Sequence, residues 1–422
     1  MFLAHQWRHG RAWWGRRCSG LRCARRRRRS TCQGRARTMR GTRRRIVLAV
    51  TSAQSLRLLD GFPSYLAEQG WDVHVVSSDL PPGRPTGWAA HRLPMRREPS
   101  PLFDLVSLGR WVKLLVVLRP DLVVAGTPKA GLLGMLAAAL TRTPRRIYLL
   151  RGLRLSTETG PRRRVLELLE RVAITTATEV QSVSHSLREE VVNLGLAPPQ
   201  KVTVVANGSS NGVVLPADDE LQVTAARRRA ELGLPERPTI GFVGRMHADK
   251  GIATLLSAFA EAATHSEIQL LLIGPEEPPG YLQEPLGELN ESVRDHVTWL
   301  GRIDEPAPYY RAMDVLTLPS RREGYPNVVL EAAAHGVPTI AWDVTGCRDA
   351  VVDGSTGLLL PYGDDRALAT AIIGAIAASD RTRAMGARAR ERAARDYERR
   401  KVWSQLDSYY RSATTKHAGD AT

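Results

Sequence analysis

The stretch Thr239-Ile-Gly-Phe-Val-Gly-Arg-Met-His-Ala-Asp-Lys-Gly251 decides the fold. Its first five residues are apolar with no polar alternation, the pattern of a strand buried on both faces. Gly244 ends the run, a short charged loop follows, and after Gly251 a helical pattern begins. Strand, glycine-bounded turn, helix is the repeating unit of a parallel α/β sheet.

The same unit recurs in both directions along the chain. Upstream, strand-like runs stand at Ile46–Val50, Val73–Ser77, Asp121–Ala125, Arg146–Leu150, Glu179–Val183 and Val202–Val205. Downstream they stand at Gln269–Ile273, Val297–Leu300, Val315–Leu318 and Pro338–Trp342, with helical patterns between them. Gly61 is expected to open one helix, and Ser186-Leu-Arg-Glu189 is a capping box for a helix ending at Gly195. A polar stretch, 216–238, divides the two series. The expected architecture is therefore α/β, with two Rossmann-like domains facing across a cleft: residues 44–215 and residues 216–394. One long final helix is expected from about Arg383 to Arg411, and its aromatic end, 395–412, is expected to pack back on the first domain. Ligands in such sheets bind beyond the carboxyl ends of the strands, where the glycine-rich turns fall.

Charge narrows the function classes. The chain has 422 residues and a net charge of +17, yet residues 1–45 alone hold sixteen Arg and no acid. The body is close to neutral, so no nucleic-acid partner is expected. The arm, residues 1–38, is expected to be disordered, with Met39 as the true start. Three of the four cysteines lie in it, without the paired His or CxxC spacing of a zinc site. The lone body cysteine, Cys347, fits a reducing cytoplasm. No apolar run approaches the roughly 18 residues of a membrane span. Leu114–Leu118 and Gly131–Leu140, the longest candidates, are expected to be buried helix.

The chemistry concentrates in Ser320-Arg-Arg-Glu-Gly-Tyr-Pro-Asn-Val-Val-Leu-Glu-Ala-Ala-Ala-His-Gly-Val-Pro338. Glu323 and Glu331 stand eight apart across a Gly-Tyr-Pro turn expected to open a helix with Pro326 in its first turn. A helix N-terminus seats a diphosphate, and flanking carboxylates suit hydroxyl-rich partners such as a sugar and a ribose. Arg245 and Lys250, five apart on the loop after Val243, are two cations able to converge on a diphosphate. Gly274, in Ile273-Gly-Pro-Glu276, is another strand-end glycine where a base or ribose approaches the backbone.

Taken as a set, Gly244-Arg245…Lys250-Gly251, Leu272-Ile-Gly-Pro275, Val297-Thr-Trp-Leu-Gly301, Glu323-x7-Glu331 and Gly354-x-x-Gly357-Leu-Leu resemble the C-terminal domain of retaining glycosyltransferases of the GT-B fold, family 4. The first half resembles the branch that builds capsule, exopolysaccharide and O-antigen, through Gly126-Thr-Pro-Lys-Ala-Gly131, Leu150-Arg-Gly-Leu153, Ser184-His-Ser-Leu187 and Asn207-Gly-Ser-Ser-Asn-Gly212. The resemblance spans roughly residues 44–412. It implies that Arg245 and Lys250 bind the donor diphosphate and stabilise its departing charge. Glu323 would contact the donor sugar and Glu331 the ribose. Gly244, Gly274 and backbone amides over Gly324, Tyr325, Pro326 and Asn327 would complete the cradle. It implies no metal and no cofactor, and no Asp-x-Asp motif appears at a strand end. Many members place a histidine after the fourth strand; here Val124-Ala-Gly-Thr-Pro-Lys129 has none, leaving His74 and His185 as first-domain candidates.

The expected activity is transfer of a sugar from a nucleotide donor, UDP-linked, to a hydroxyl of a polyprenyl-diphosphate-linked glycan, with retention. The expected place is the cytoplasm, peripheral on the inner membrane face, with Arg142-Thr-Pro-Arg-Arg146 and Arg162–Arg164 toward anionic headgroups. The rivals are a sugar-nucleotide epimerase of the same architecture and a non-catalytic protein that binds nucleotide sugars or nucleic acid.

Overall fold

The computed structural model describes residues 43–80, 86–96, 100–209, 211–217, 219 and 223–419; the expectations for residues 1–38 lie outside them. Two parallel sheets organise the chain. The first has seven strands, β1 (Arg45–Ala49), β2 (Asp72–Ser77), β3 (Ala89–Arg92), β4 (Leu122–Gly126), β5 (Arg145–Leu150), β6 (Glu179–Ser182) and β7 (Val202–Val204), in the order β3-β2-β1-β4-β5-β6-β7. The second has β8 (Thr239–Val243), β9 (Gln269–Ile273), β10 (Val297–Trp299), β11 (Val315–Leu318), β12 (Thr339–Trp342) and β13 (Gly357–Leu360), in the order β10-β9-β8-β11-β12-β13. Every pairing is parallel, from Ile46 beside Val73 to Thr339 beside Gly357.

Both orders reverse direction once, between β1 and β4 and again between β8 and β11. Such a switch point opens a crevice at the strands' carboxyl ends, because the chain leaves the two flanking strands toward opposite faces. The loops that matter leave those strands: 50–55 after β1, 127–129 after β4, 244–251 after β8 and 319–326 after β11.

The helices of seven residues or more are α1 (Phe62–Glu68), α2 (Pro101–Leu118), α3 (Pro128–Leu140), α4 (Gly160–Thr176), α5 (His185–Asn193), α6 (Ala225–Glu231), α7 (Ile252–Ala263), α8 (Asn327–Ala334), α9 (Asp365–Ala377), α10 (Ser379–Asp396) and α11 (Arg399–Gly419). All the strand runs anticipated above form strands. Neither β3 nor β13 was anticipated: Ala-Ala-His-Arg lacks a β-branched run, and Gly357-Leu-Leu was read only as part of a motif; α6 falls inside the stretch read only as polar.

Three other local expectations need correction. Helix α5 starts at His185, not after Ser186, and its N-cap is Ser184, whose hydroxyl accepts from the Leu187 N–H. The Ser186 hydroxyl instead donates to Asp349 in the second half of the chain, whose carboxylate also accepts from the N–H groups of His185 (2.7 Å) and Ser186 (3.1 Å). Pro326 is the N-cap of α8 rather than a first-turn residue. The single final helix is two, broken at Tyr397-Glu398. There the chain pairs with Val213 through N–H to O contacts of 2.8 and 3.0 Å, and the Glu398 carboxylate restarts the helix by accepting from Arg400 and Lys401.

The second of those helices, α11, lies against the first sheet's elements. Trp403 Nε1 donates to Asn211 (2.7 Å), Trp71 Nε1 to Asp407 (2.6 Å) and Tyr409 to Glu179 (2.7 Å). Trp403 also packs on Phe62 and Tyr65 of α1. The Trp403 ring occupies the space a side chain at Gly61 would fill.

A fourth expectation is half right. Gly131–Leu140 is largely buried, but Val116 and Val117 face solvent. Helix α2 turns Trp111 and Leu115 inward and leaves a second apolar face outside.

Candidate active site

Four of the residues singled out from sequence line one cavity of about 660 Å³: Gly244, Arg245, Gly274 and Glu331. It opens at the carboxyl ends of β8 and β9. Gly274 has φ +140°, and a Cβ there would stand 1.7 Å from the Gly244 carbonyl oxygen. Any side chain would therefore force the two loops apart and disturb the floor of the cavity. Trp299 Nε1 donates to the Gly274 carbonyl at 2.9 Å and fixes that loop from the neighbouring strand.

The charged groups singled out from sequence on this side are each held by a partner. Arg245 Nη1 stands 2.7 Å from Glu277. Lys250 Nζ stands 2.6 Å from Glu323, and that pair lines neither this cavity nor its neighbour. The two cations expected to converge are thus each engaged by a different carboxylate. Glu331 accepts from the Tyr310 hydroxyl at 2.6 Å. Burial raises the Glu331 pKa above the usual carboxylate range, and the Tyr310 bond only partly opposes it. A carboxyl kept dry beside an open cavity suits a hydroxyl ligand.

The Gly-Tyr-Pro turn is built differently from the cradle expected. Pro326 has no N–H to offer, so only Gly324, Tyr325 and Asn327 carry amides there. The Tyr325 ring is buried against Tyr397, with centroids 5.6 Å apart. Gly324 is pressed against the first half of the chain: a Cβ would lie 1.8 Å from the Arg151 carbonyl oxygen, and its own carbonyl accepts from Ser184 at 2.7 Å.

A second cavity, about 370 Å³, shares Arg245 and Glu277 with the first and joins the two switch points. From the first sheet it takes Thr51, Ser55, Thr127 and Lys129, with Arg154; from the second, His247, Asp249 and Arg322. Thr127 holds φ +73°, an unusual conformation for a β-branched residue, pinned by bonds between its hydroxyl and both the Thr51 hydroxyl (2.7 Å) and the Thr51 N–H (3.0 Å). Asp249 is paired with Arg322 at 3.1 Å. Burial works to raise its pKa, but the Arg322 charge and hydrogen bond outweigh that and hold it below normal. Arg154 has no ion-pair partner among the described residues.

Sequence reasoning missed Glu277, Arg322 and Arg154. It quoted Glu276 instead, which caps its own loop through the N–H groups of Gly280 and Leu282. Neither histidine candidate lines either cavity: His74 is bonded to His91 at 2.8 Å, and His185 sits at the start of α5. The Arg142–Arg146 patch is mostly consumed by structure, since Arg146 bonds the Thr176 and Thr143 carbonyls and Arg145 faces Glu179.

Comparison with known proteins fits these two loops to one family. Residues 237–378 match the model for glycosyl transferases group 1, and residues 62–208 match the glycosyl transferase 4-like domain. The capsular polysaccharide biosynthesis glycosyltransferase CapM of Staphylococcus aureus is 34% identical over 375 residues, 88% of this chain and 97% of CapM. The chain belongs to the GT-B glycosyltransferases of family 4. Among solved structures, a sucrose-phosphate synthase from Thermosynechococcus elongatus overlays the glycosyltransferase with TM-score 0.74 at 23% identity, covering 89% of this chain and all of that one. HepE of Anabaena, solved with UDP-glucose, overlays with TM-score 0.69 at 20% identity, over 87% and 99%. These overlays speak for the fold. Among the described residues of the glycosyltransferase, no helix is long and apolar enough to cross a membrane, and no group of three His, Cys, Asp or Glu is placed to hold a metal ion.

Proposed function

We propose that this glycosyltransferase moves a sugar from a UDP-linked donor to a hydroxyl of a lipid-diphosphate-linked glycan, with retention, in bacterial surface polysaccharide synthesis. The carrying observation is the convergence of Gly244, Arg245, Gly274 and Glu331 on one strand-end cavity that shares Arg245 and Glu277 with a second cavity. One cavity suits a donor and the other an acceptor. The near full-length relative CapM belongs to capsular polysaccharide biosynthesis, and HepE, of the same fold, holds UDP-glucose; both favour this reading.

In it, Glu331 accepts from the ribose hydroxyls and Arg245 faces the diphosphate, while Lys250 and Glu323, which line neither cavity while paired with each other, turn to the diphosphate and the donor sugar when the donor binds. Amides at Gly324, Tyr325 and Asn327 add donors. The anomeric C–O bond breaks with its electron pair leaving on the diphosphate oxygen. The acceptor hydroxyl attacks from the same face, and its proton passes to the departing phosphate. UDP and the extended glycan result. Stabilising charge that develops only as the bond breaks raises kcat rather than affinity. Work on a lipid-linked acceptor would place the enzyme peripherally on the inner membrane face.

The test is a hydrolysis and transfer screen over UDP-, GDP- and ADP-sugars, followed by NMR of the product anomer. Turnover of UDP-sugars with the donor configuration kept is the expected result. Turnover confined to GDP- or ADP-sugars, or an inverted anomer, would defeat the reading. Interconversion of the donor sugar without transfer would point to the epimerase.

A further inference from the structure

We infer that the outer face of α2 is a lipid-contact surface that seats the enzyme on an anionic bilayer. Leu102, Leu105, Val106, Val116 and Val117 are between 54% and 84% exposed. Spaced at 102, 105, 106, 109, 113, 116 and 117, this face repeats with helical period along a helix of roughly 27 Å. Only Gly109 and Lys113 interrupt it, and Arg110 flanks it. Five exposed aliphatics on one stripe exceed the scattered apolar residues of an ordinary surface.

Charge selects the occupant. The sole acid on α2, Asp104, is turned to Lys129 at 2.6 Å, so the outer face presents Arg110 and Lys113 with no carboxylate among them. A second copy meeting this patch through a two-fold axis would set those cations against themselves. An anionic headgroup layer over an apolar interior matches both features at once. Exposed Leu140, Val165 and Leu168 on the adjacent α3 and α4 add aliphatic surface, and Arg164 on α4 adds charge.

Position relates the surface to the second cavity. Lys129 lines that cavity and is bonded to Asp104 at the start of α2, on the helix face opposite Leu102, so the apolar stripe is the side of α2 turned away from it. A lipid chain leaving the cavity would pass round the start of α2 to reach the stripe. This last step rests on the lipid-linked acceptor proposed above; the docking itself does not.

The test uses the full chain and vesicles of phosphatidylcholine with or without phosphatidylglycerol, with wild type and variant compared at the same moderate salt so that arginine-rich residues 1–45 contribute equally to both. Wild type is expected to sediment with the anionic vesicles. The L105D/V117D variant should partition less by about tenfold for each substitution, while hydrolysing UDP-sugar as wild type does. Equal partitioning of variant and wild type overturns the proposal. So does a wild type that stays in the supernatant, or one that is a dimer converted to monomer by the substitutions without binding vesicles. A parallel assay compares a vesicle-borne lipid-diphosphate glycan with a short-chain soluble analogue, and the variant should slow only on the former. A wild type that docks but uses neither acceptor defeats the acceptor reading and leaves the docking surface standing.

Discussion

The two walls of the cleft are built from the same architectural part and finished differently. On the second-sheet side the charges named here are committed: Arg245 to Glu277, Lys250 to Glu323, Arg322 to Asp249, and Glu331 to the Tyr310 hydroxyl. On the first-sheet side Arg154 has no ion-pair partner among the described residues, Lys129 is drawn outward to Asp104, and Thr127 is held at φ +73°. A wall whose charges are paired and hydrogen-bonded in advance spends little on reorganisation when a charged ligand arrives. A wall carrying an unpaired cation gains its partner from the ligand. On the proposed reading, the second wall is where chemistry is set and the first is where the acceptor is chosen.

The largest expected effect tests the first half of that contrast. Arg245→Ala and Lys250→Ala should each lower kcat by roughly 10²–10³-fold, the usual cost of one electrostatic stabiliser in a desolvated site. Steady-state kinetics with the preferred donor decides it. Near-normal kcat in both variants would leave the paired wall without a catalytic role.

Glu323 and Glu331 sharpen the contrast within the wall itself. They are eight residues apart, yet one is ion-paired and the other is kept dry under a tyrosine hydroxyl. Glu331→Ala should weaken UDP binding by about 1.5–3 kcal/mol, the worth of a hydrogen bond to a charged group, with a smaller change in kcat. Glu323→Ala should lower kcat and leave UDP affinity nearly intact. Calorimetry with UDP separates the roles, and the opposite pattern would exchange them.

Much of this was readable from residues. The strands at both switch points are unbroken apolar runs, and the loops after them carry the charged residues, so the fold and the strand-end position of the first cavity followed from pattern. What escaped depends on three-dimensional pairing. Nothing in Gly-Pro-Glu-Glu277 says that the second glutamate, not the first, reaches Arg245. Ser186-x-x-Glu189 has the capping-box spacing, and it is the approach of Asp349 from the other half of the chain that takes up Ser186 and leaves Ser184 as the cap. Leu114–Leu118 was expected to be buried helix, yet Val116 and Val117 of that run are exposed on the outer face of α2; a short apolar run does not say which helix face meets the sheet.

A pH experiment probes the interior behind the first wall. Glu170 on α4 accepts from the Tyr148 hydroxyl at 2.8 Å, and burial raises its pKa to about 7 against the opposing pull of that bond. The folded state therefore holds a proton that the unfolded state releases near 4.5. Stability is unaffected by this group below that value, falls as pH rises from 4.5 to about 7, and bears the full cost above. Because the side chain is only partly covered, the cost is taken as about 1–2 kcal/mol. Glu170→Gln should raise stability by that amount at pH 8 and by nothing at pH 4. Parallel denaturation curves at the two pH values check it. An equal gain at both would show a packing effect in place of a titration.

On the first wall, Arg154→Ala should raise the acceptor KM by about tenfold, the value of one charge-assisted contact. UDP affinity should not move. A change in UDP affinity instead would place Arg154 with the donor and erase the division between the walls.

The smallest effect is expected where the walls touch at the mouth of the donor cavity. Arg57 on the first side is ion-paired with Asp304 on the second, and both line the cavity. Hydrogen bonds from Arg57, then from Arg302, hold the Asp304 carboxyl below the usual range. The pair nevertheless stands in solvent, with the two side chains 54% and 75% exposed. Attraction there is screened by water and salt, and ordering two flexible side chains offsets what remains. Arg57→Ala should accordingly leave the melting temperature unchanged and move the donor KM by less than about threefold. The buried contacts between the halves, Ser184 to Gly324 and Asp349 to the start of α5, would keep the cleft in register without it. A tenfold or greater rise in donor KM, reproduced in wild type by high salt, would instead make this exposed pair a latch. The paired wall would then extend across the cleft, and the contrast between its two sides would hold only for the second cavity.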